Sequence, residues 1–164
     1  MHQQIVSPAE NESSPSDGLS VSVWERVMRE AVRTSRAAPR HVALKAYEQA
    51  LEIAHRLIEQ PPPERADDCV AALVVSHHNL AGLHAERGDI DSAAEHLCHA
   101  HETLIRLFLD NSQDTSLRQA ALRHSRETHF ALLNHLRAHG PHPFVTRALG
   151  AGCLALCAAH PRPH

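Results

Sequence analysis

The chain has 164 residues, of which 43% are apolar and only 3% aromatic, and its formal charge at neutral pH is −3. This length suits one domain, and a predominance of Ala and Leu over β-branched and aromatic residues favours helices over strands. The charge excludes the strongly basic footprint that is typical of nucleic-acid-binding domains. The four cysteines include no CxxC pair and do not indicate a disulfide scaffold.

The two ends of the chain differ in composition from its centre. The first residues, MHQQIVSPAENESSPSDG, contain no basic stretch followed by an apolar one, so we do not expect a secretory signal. Residues 1–19 are rich in Ser, Pro, Glu and Asn and predict a flexible tail. The longest apolar run, 148–159, is shorter than the ~20 residues that span a bilayer. We therefore expect a cytoplasmic protein with a helical domain over 20–159, a short C-terminal tail over 160–164 and reduced thiols.

Apolar residues at helical spacing, separated by helix-breaking residues, predict six helices. The breaks are Pro39, the three prolines 61–63, Gly88, the polar turn 111–114 and Gly140. The predicted helices cover, in chain order, residues 20–36, 40–59, 64–87, 90–109, 115–139 and 143–159. Either Ser20 or Ser22 can be the N-cap of the first helix, and Glu25 would complete a capping box with Ser22.

The first two helix pairs repeat with a step of 50 residues. Small residues recur in this repeat, and they allow two antiparallel helices to approach closely. In the superposition Ala31 falls on Ala81, Ala43 on Ala93, Tyr47 on Leu97 and Ala50 on Ala100. A third pair fits more weakly, with Gly140 standing 52 residues after Gly88.

The stretch 77–100, HHNLAGLHAERGDIDSAAEHLCHA, resembles a motif of the tetratricopeptide repeat family, and 27–50 matches it mainly in the second helix. The repeat is longer than the family's usual ~34 residues, and His77 and His84 stand where the family has large aromatic residues. The resemblance implies an all-α fold, a right-handed stack of three antiparallel helix pairs that forms an α-solenoid. In such a stack the first helices of the pairs line a concave groove, which holds a peptide or a helix of a partner.

Transfer by register assigns groove-lining positions to each of the three pairs. The groove has too few Lys and Asn residues for the family's dicarboxylate clamp, so binding of an acidic peptide C-terminus is not supported. The principal predicted partner-binding residues are Met28, Arg36, His78, Glu86, Phe130, Asn134 and Arg137, with Val32, Ser35 and Gly82 beside them.

The 16 histidines support an alternative function, a histidine-rich metal-binding or pH-responsive protein. His96 and His99 share one face of the fourth helix, and His135 and His139 are four residues apart on the fifth, a workable spacing for Zn²⁺, Ni²⁺ or Cu²⁺. A competing interpretation is that imidazoles such as His77 replace aromatic rings at packing positions. Cys153 and Cys157 are also four residues apart, with His160 three residues further on, a spacing at which thiolates could bind a metal ion or haem. Because leucines surround them and no cation is near, we expect these cysteines instead to be buried as small apolar residues.

Catalytic motifs are absent from the sequence, which contains no GxSxG elbow, no GxGxxG and no Gly-rich phosphate loop. We therefore predict a non-enzymatic bacterial adaptor, chaperone-like or regulatory protein with no catalytic residue and no cofactor. Its expected partner is a protein or peptide rather than a nucleic acid or a membrane. The last helix is too apolar for the end of a stack, so we also expect a homodimer through this helix unless it folds back onto the other helices.

Overall fold

The structure is a computed structural model that describes residues 19–159, without the side chains of the last two of these residues. Residues 1–18 of the predicted N-terminal tail and the predicted C-terminal tail, 160–164, lie outside this range. Within it the fold is all-α, with six helices and no strand. The helices are α1 (Val21–Ala37), α2 (Arg40–Glu59), α3 (Ala66–Glu86), α4 (Ile90–Leu109), α5 (Thr115–His139) and α6 (Pro143–Ala159).

These bounds confirm the six predicted helices, with differences of one or two residues at the ends of α1 and α3. Ser20 is the N-cap of α1, since its hydroxyl accepts a hydrogen bond from the Val23 amide at 3.3 Å. Ser22 lies inside the helix on an exposed position, so the predicted capping box of Ser22 and Glu25 is wrong. At the end of α3, Gly88 adopts a φ of 77°, which a residue without Cβ reaches at no steric cost.

From α1 to α5, each helix packs against the next one in the chain. In addition, α3 contacts α1 and α5, and α6 packs mainly against α4 and less against α5. The helix α3 is therefore surrounded by four others, and Val70, Leu73, Val74 and Leu80 on it are fully buried.

Close helix contacts occur at the alanines that define the repeat. Each is at most 5% exposed: Ala31, Ala43, Ala50, Ala81, Ala93 and Ala100. Larger side chains at these positions would separate the paired helices, because protein interiors are close-packed. Among the described residues, no helix is both long enough and apolar enough to cross a membrane.

Candidate functional site

A cleft of about 440 Å³ opens between α1, α2 and α3. Two of the principal residues predicted from the repeat register on α3, His78 and Glu86, line it together with Arg36 of α1. Its remaining lining residues are Ser35, Arg40, Tyr47, Asn79, Gly82 and Leu83. Residues from two helix pairs that are some 50 positions apart in the sequence thus form one concave surface.

Met28 does not line this cleft, contrary to the prediction. It is only 7% exposed and belongs to an apolar cluster with Ala31, Tyr47 and Leu80. The side-chain nitrogen of Asn79 lies 3.7 Å from the Met28 sulfur and covers it. Met28 therefore supports the contact between α1 and α3 rather than offering a surface to a partner.

The three predicted residues of the third pair lie on exposed positions of α5, outside the lining of the cleft. Phe130 is 63% exposed, and Asn134 and Arg137 are also exposed. Since α5 packs against α3, these side chains lie one helix further along the series α1, α3, α5. A contact between His78 and Glu127, with 3.8 Å between Nδ1 and Oε1, connects the two helices.

Charged residues line the contact between α3 and α5. The two ring nitrogens of His124 lie 3.6 Å from Glu127 Oε2 and 3.4 Å from Asp67 Oδ1, and Arg123 pairs with Asp67 at 2.7 Å. The hydrogen bond from Arg123 lowers the pKa of Asp67. Burial lowers the pKa of His78, although Glu127 acts in the opposite direction. Sequence analysis did not identify this network, for which the i,i+3 spacing of His124 and Glu127 was the available signal.

Five imidazoles from three helices meet between α2, α3 and α4. His77 is 2% exposed, and its Nδ1 lies 3.2 Å from Nδ1 of His96. One of these two nitrogens must carry the proton and the other must accept it. The rings of His55 and His99 lie 5.6 Å and 6.3 Å from that of His77, and His84 stacks on His96.

Protonation of His77 and His96 is unfavourable in the folded protein. Burial, followed by repulsion from His96 and His55, lowers the pKa of His77 to about 3. Burial and the neighbouring His84 and His99 lower the pKa of His96 to about 4. Both rings are therefore neutral at physiological pH, and His77 occupies a packing position between three helices.

His101 is fully buried where α4, α5 and α6 meet. The Thr128 hydroxyl donates to the Ser125 carbonyl at 3.1 Å, so it accepts a hydrogen bond from His101 Nδ1 at 2.8 Å. This arrangement leaves Nε2 unprotonated, close to the backbone of Gly152 on α6. Burial lowers the pKa of His101 to about 4. The ring borders an apolar cavity of about 560 Å³ between α4 and α6.

The four histidines of the metal-binding alternative lie in separate places. His96 and His99 belong to the cluster around His77, whereas His135 and His139, with ring centroids 4.8 Å apart, lie near His142 at the far end of α5. Within residues 19–157 no group of three or more His, Cys, Asp or Glu side chains is arranged to hold a metal ion. His160 lies outside the described residues.

The cysteines divide into a buried and an exposed pair. Cys69 and Cys98 are buried, and burial raises the pKa of Cys98 to about 11. Cys153 and Cys157 are exposed, so the prediction that they are buried is wrong. The reason is that α6 turns Val145, Ala148 and Gly152 toward α4 and leaves the opposite side of the helix to solvent.

The described residues thus form an all-α protein of six helices with a cleft between the first three. The chain belongs to a family described as "Protein of unknown function (DUF2753)", whose model matches residues 22–164. No curated protein and no solved structure matches the chain.

Proposed function

We propose that this chain is a non-enzymatic protein–protein interaction module of the tetratricopeptide type, which binds a peptide or a helix of a partner protein. The observation that carries the proposal is the cleft lined by Arg36, His78 and Glu86. These residues were selected from the register of a 50-residue repeat, and they line one concave surface.

The contacts between helices support a solenoid arrangement. Each of the pairs α1–α2 and α3–α4 packs internally, and α1, α3 and α5 contact one another in series. In a stack of helix pairs the first helices form such a series, which builds an extended concave surface for a partner. The third pair, α5 and α6, is less regular, since α6 packs more against α4 than against α5.

The end of the proposed groove on α5 offers an aromatic and a cationic anchor. Phe130 is the most exposed phenylalanine described, and Arg137 lies two helical turns further on. Aromatic and Arg side chains contribute most strongly to protein interfaces. We propose that Phe130, Asn134 and Arg137 contact the part of the partner that extends beyond the cleft.

Selection of binding peptides from a random display library on the full-length chain tests this function. We expect the selected peptides to bind the double variant Phe130→Ala and Arg137→Ala at least about tenfold more weakly than the wild type. A matched control, Leu109→Ala with Arg106→Ala on the exposed side of α4, should retain binding. Equal thermal unfolding by circular dichroism must accompany the comparison. Peptides that bind both variants equally, or a library that yields no peptide, would overturn the proposal.

We further propose a homodimer through α6 in a cytoplasmic adaptor. Leu154 is 75% exposed and Phe144 48% exposed on this helix, although Val145 and Ala148 are buried in the chain. Burial of exposed apolar residues by two-fold symmetry would stabilise such a dimer. Light scattering should give a mass that rises from that of a monomer to that of a dimer as the protein concentration increases. Leu154→Arg should abolish this rise. A monomer mass at every concentration would contradict the dimer.

The alternative function, metal binding, is favoured by one observation. Buried ring nitrogens of several histidines have no hydrogen-bond partner among the described residues: His77 Nε2, His78 Nε2, His101 Nε2, His135 Nε2 and His142 Nδ1. Mass spectrometry of the untagged protein tests it. Stoichiometric Zn, Ni or Cu that is lost in variants of His96, His99, His135 or His139 would favour this alternative over the groove.

A further inference from the structure

A row of arginines follows the exposed face of α1. Arg26, Arg29, Arg33 and Arg36 recur at intervals of three and four residues, which places them on one side of the helix. All four are exposed, and Arg40 follows at the start of α2. These five residues supply about a third of the chain's 16 Lys and Arg residues, although the whole chain is acidic. We call Arg26, Arg29, Arg33 and Arg36 the arginine stripe.

The stripe is only partly neutralised by its own chain. Glu30 pairs with Arg33 and also accepts a hydrogen bond from Thr34. Among the described residues, Arg26, Arg29 and Arg36 have no carboxylate within ion-pair distance. Three other exposed arginines do have one, since Arg56 pairs with Glu52, Arg65 with Asp68 and Arg123 with Asp67. Exposed arginines without such a pair also occur elsewhere in the described part of the chain, but they are not arranged in a row along one helix. The stripe therefore has a surplus of positive charge that the fold does not use.

The stripe is continuous with the cleft of the proposed groove. Its four arginines, with Glu30, Val32 and Ala37, line a depression of about 650 Å³. Arg36 lines both this depression and the cleft of about 440 Å³. The stripe extends over about 15 Å from Arg26 to Arg36 at the helical rise of 1.5 Å per residue. A segment lying in the cleft can thus continue along α1 past the guanidinium groups.

We infer that the arginine stripe binds the carboxylate side chains of an acidic peptide segment of the partner, next to the part of that partner that lies in the cleft. This inference rests on the proposed function and names the chemistry of its ligand. Arginine suits the role because its planar guanidinium can donate two hydrogen bonds to one carboxylate. The ligands are Asp and Glu side chains along the segment, which distinguishes the stripe from a clamp on a C-terminal carboxylate.

The surroundings of the stripe favour an acidic peptide over a nucleic acid. Single-stranded nucleic acids bind where aromatic rings stack on bases beside a basic groove. The aromatic residue on α1, Trp24, is half-buried, and its indole N–H donates to Ser76 Oγ at 2.9 Å. Among the described residues, this basic surface comprises α1 and the start of α2, in a chain with a net charge of −3.

Fluorescence anisotropy with a labelled peptide of Glu and Ala, about twelve residues long so that it covers the stripe as an extended or a helical chain, tests the inference on the full-length protein. We expect binding that weakens with added salt, and a loss of about tenfold in the triple variant Arg26→Gln, Arg29→Gln and Arg36→Gln. The matched control is Arg56→Gln, Arg87→Gln and Arg106→Gln, which changes the net charge equally elsewhere on the surface. Gln is tolerated in helices, and equal thermal unfolding of both variants confirms that each one folds.

Retained binding in the control, together with weak binding of a peptide in which Gln replaces Glu, would support the inference. Equal losses of affinity in both triple variants would overturn it, because binding would then depend only on the net charge of the protein and not on the position of the arginines. Absence of peptide binding, or tighter binding of an oligothymidylate of the same length, would also overturn it.

The proposal for the arginine stripe and the proposal for the groove can be contradicted independently of each other. If peptides from the display selection depend on Phe130 and Arg137 but not on the stripe, the groove stands and the acidic ligand is wrong. If the Glu peptide depends on the stripe while no selected peptide depends on Phe130 and Arg137, the stripe stands and the proposed groove on α5 is wrong.

Discussion

Imidazole rings occupy positions in this core where a helical protein usually has apolar side chains. His77 and His101 are at most 2% exposed, and burial lowers the pKa of both. A neutral imidazole is a ring with one donor and one acceptor, so it packs well when one nitrogen has a partner. The remaining nitrogen is unprotonated at physiological pH, and its protonation in acid would place a positive charge in the core.

Acid should therefore destabilise the protein. Below about pH 6.5 the unfolded chain protonates its histidines, whereas folded His77 and His101 resist protonation until about pH 3 and about pH 4. The free energy of unfolding therefore decreases as the pH is lowered. The decrease is roughly 2 to 3 kcal/mol for these two residues between about pH 7.5 and 5.5. Urea unfolding at several pH values measures this change.

One substitution isolates the contribution of a single ring. The groups facing His77 are His55 on α2, His78 on α3, and His96 and His99 on α4. The slope of the unfolding free energy against pH reports how many protons the chain takes up when it unfolds. In His77→Gln we expect this number to be lower by about one. His41→Gln, at an exposed position of α2, is the control. An unchanged dependence in His77→Gln would contradict the assignment.

Two glycines of α6 provide a matched pair of substitutions. A Cβ at Gly152 would lie 2.3 Å from His101 Nε2, and the His101 ring cannot move away because it is fully buried and bonded to Thr128. We expect Gly152→Ala to lower the free energy of unfolding by about 1–3 kcal/mol. A Cβ at Gly150 meets nothing within 4 Å. Gly150→Ala should thus be neutral or stabilising by up to about 1 kcal/mol, and denaturant unfolding distinguishes the two outcomes.

The ends of helices depend on which polar side chain reaches a free amide. The sequence offered Ser20 and Ser22 as alternatives for α1, and their spacing to Glu25 favoured Ser22 for a capping box. In the structure Ser20 has an extended backbone and accepts from the Val23 amide, whereas Ser22 is already inside the helix. The choice follows from where Val21 and Met28 are buried, which determines the phase of the helix.

The cap can be tested with the same two serines. We expect Ser20→Ala to lower the free energy of unfolding by about 1 kcal/mol, since one amide of the first turn loses its partner. Ser22→Ala should change the free energy of unfolding by only about a few tenths of a kcal/mol, because the exposed hydroxyl caps nothing and Ala favours the helix. Thermal unfolding followed by the fluorescence of Trp24 on the same helix is a suitable measurement. A larger effect of Ser22→Ala than of Ser20→Ala would instead support the predicted capping box of Ser22 and Glu25.

At the scale of helices, α6 shows how far composition can mislead. Its apolar composition favours the prediction that Cys153 and Cys157 are buried. The structure buries Val145, Ala148 and Gly152 and exposes the two cysteines. Composition gives the amount of apolar surface on a helix, but its neighbours decide which side is covered.

The molecule as a whole is organised around α3. It contacts α1, α2, α4 and α5, whereas α6 contacts only α4 and α5. Stability is not uniform in such an arrangement, because amides that are surrounded by packed helices exchange only in the largest unfolding events. We expect hydrogen exchange, followed by mass spectrometry, to be slowest in residues 69–80 and faster in residues 150–157. Equal exchange in both segments would indicate that α6 unfolds only together with the rest of the chain.

The sequence by itself determined the all-α class, the number of helices in the described range and most of their bounds. Helix propensity, the 3.6-residue spacing of Ala and Leu, and breakers such as Pro39 and Gly88 are local signals, and a local signal can be read without knowing the fold. The repeat register also selected Arg36, His78 and Glu86, which line one cleft, but it included Met28, which is buried.

Only the tertiary structure decided which side of each helix is covered and which polar groups meet. The contact of His77 with His96, the bond of His101 with Thr128, and the contacts of Asp67 with Arg123 and His124 all join residues on different helices. The shifted pKa values of His77, His101 and Asp67 follow from burial and from neighbours that are distant in the sequence. The surplus charge of the arginine stripe likewise became evident only when the surrounding carboxylates were located, because ion pairing depends on distances in space and not on spacing along the chain.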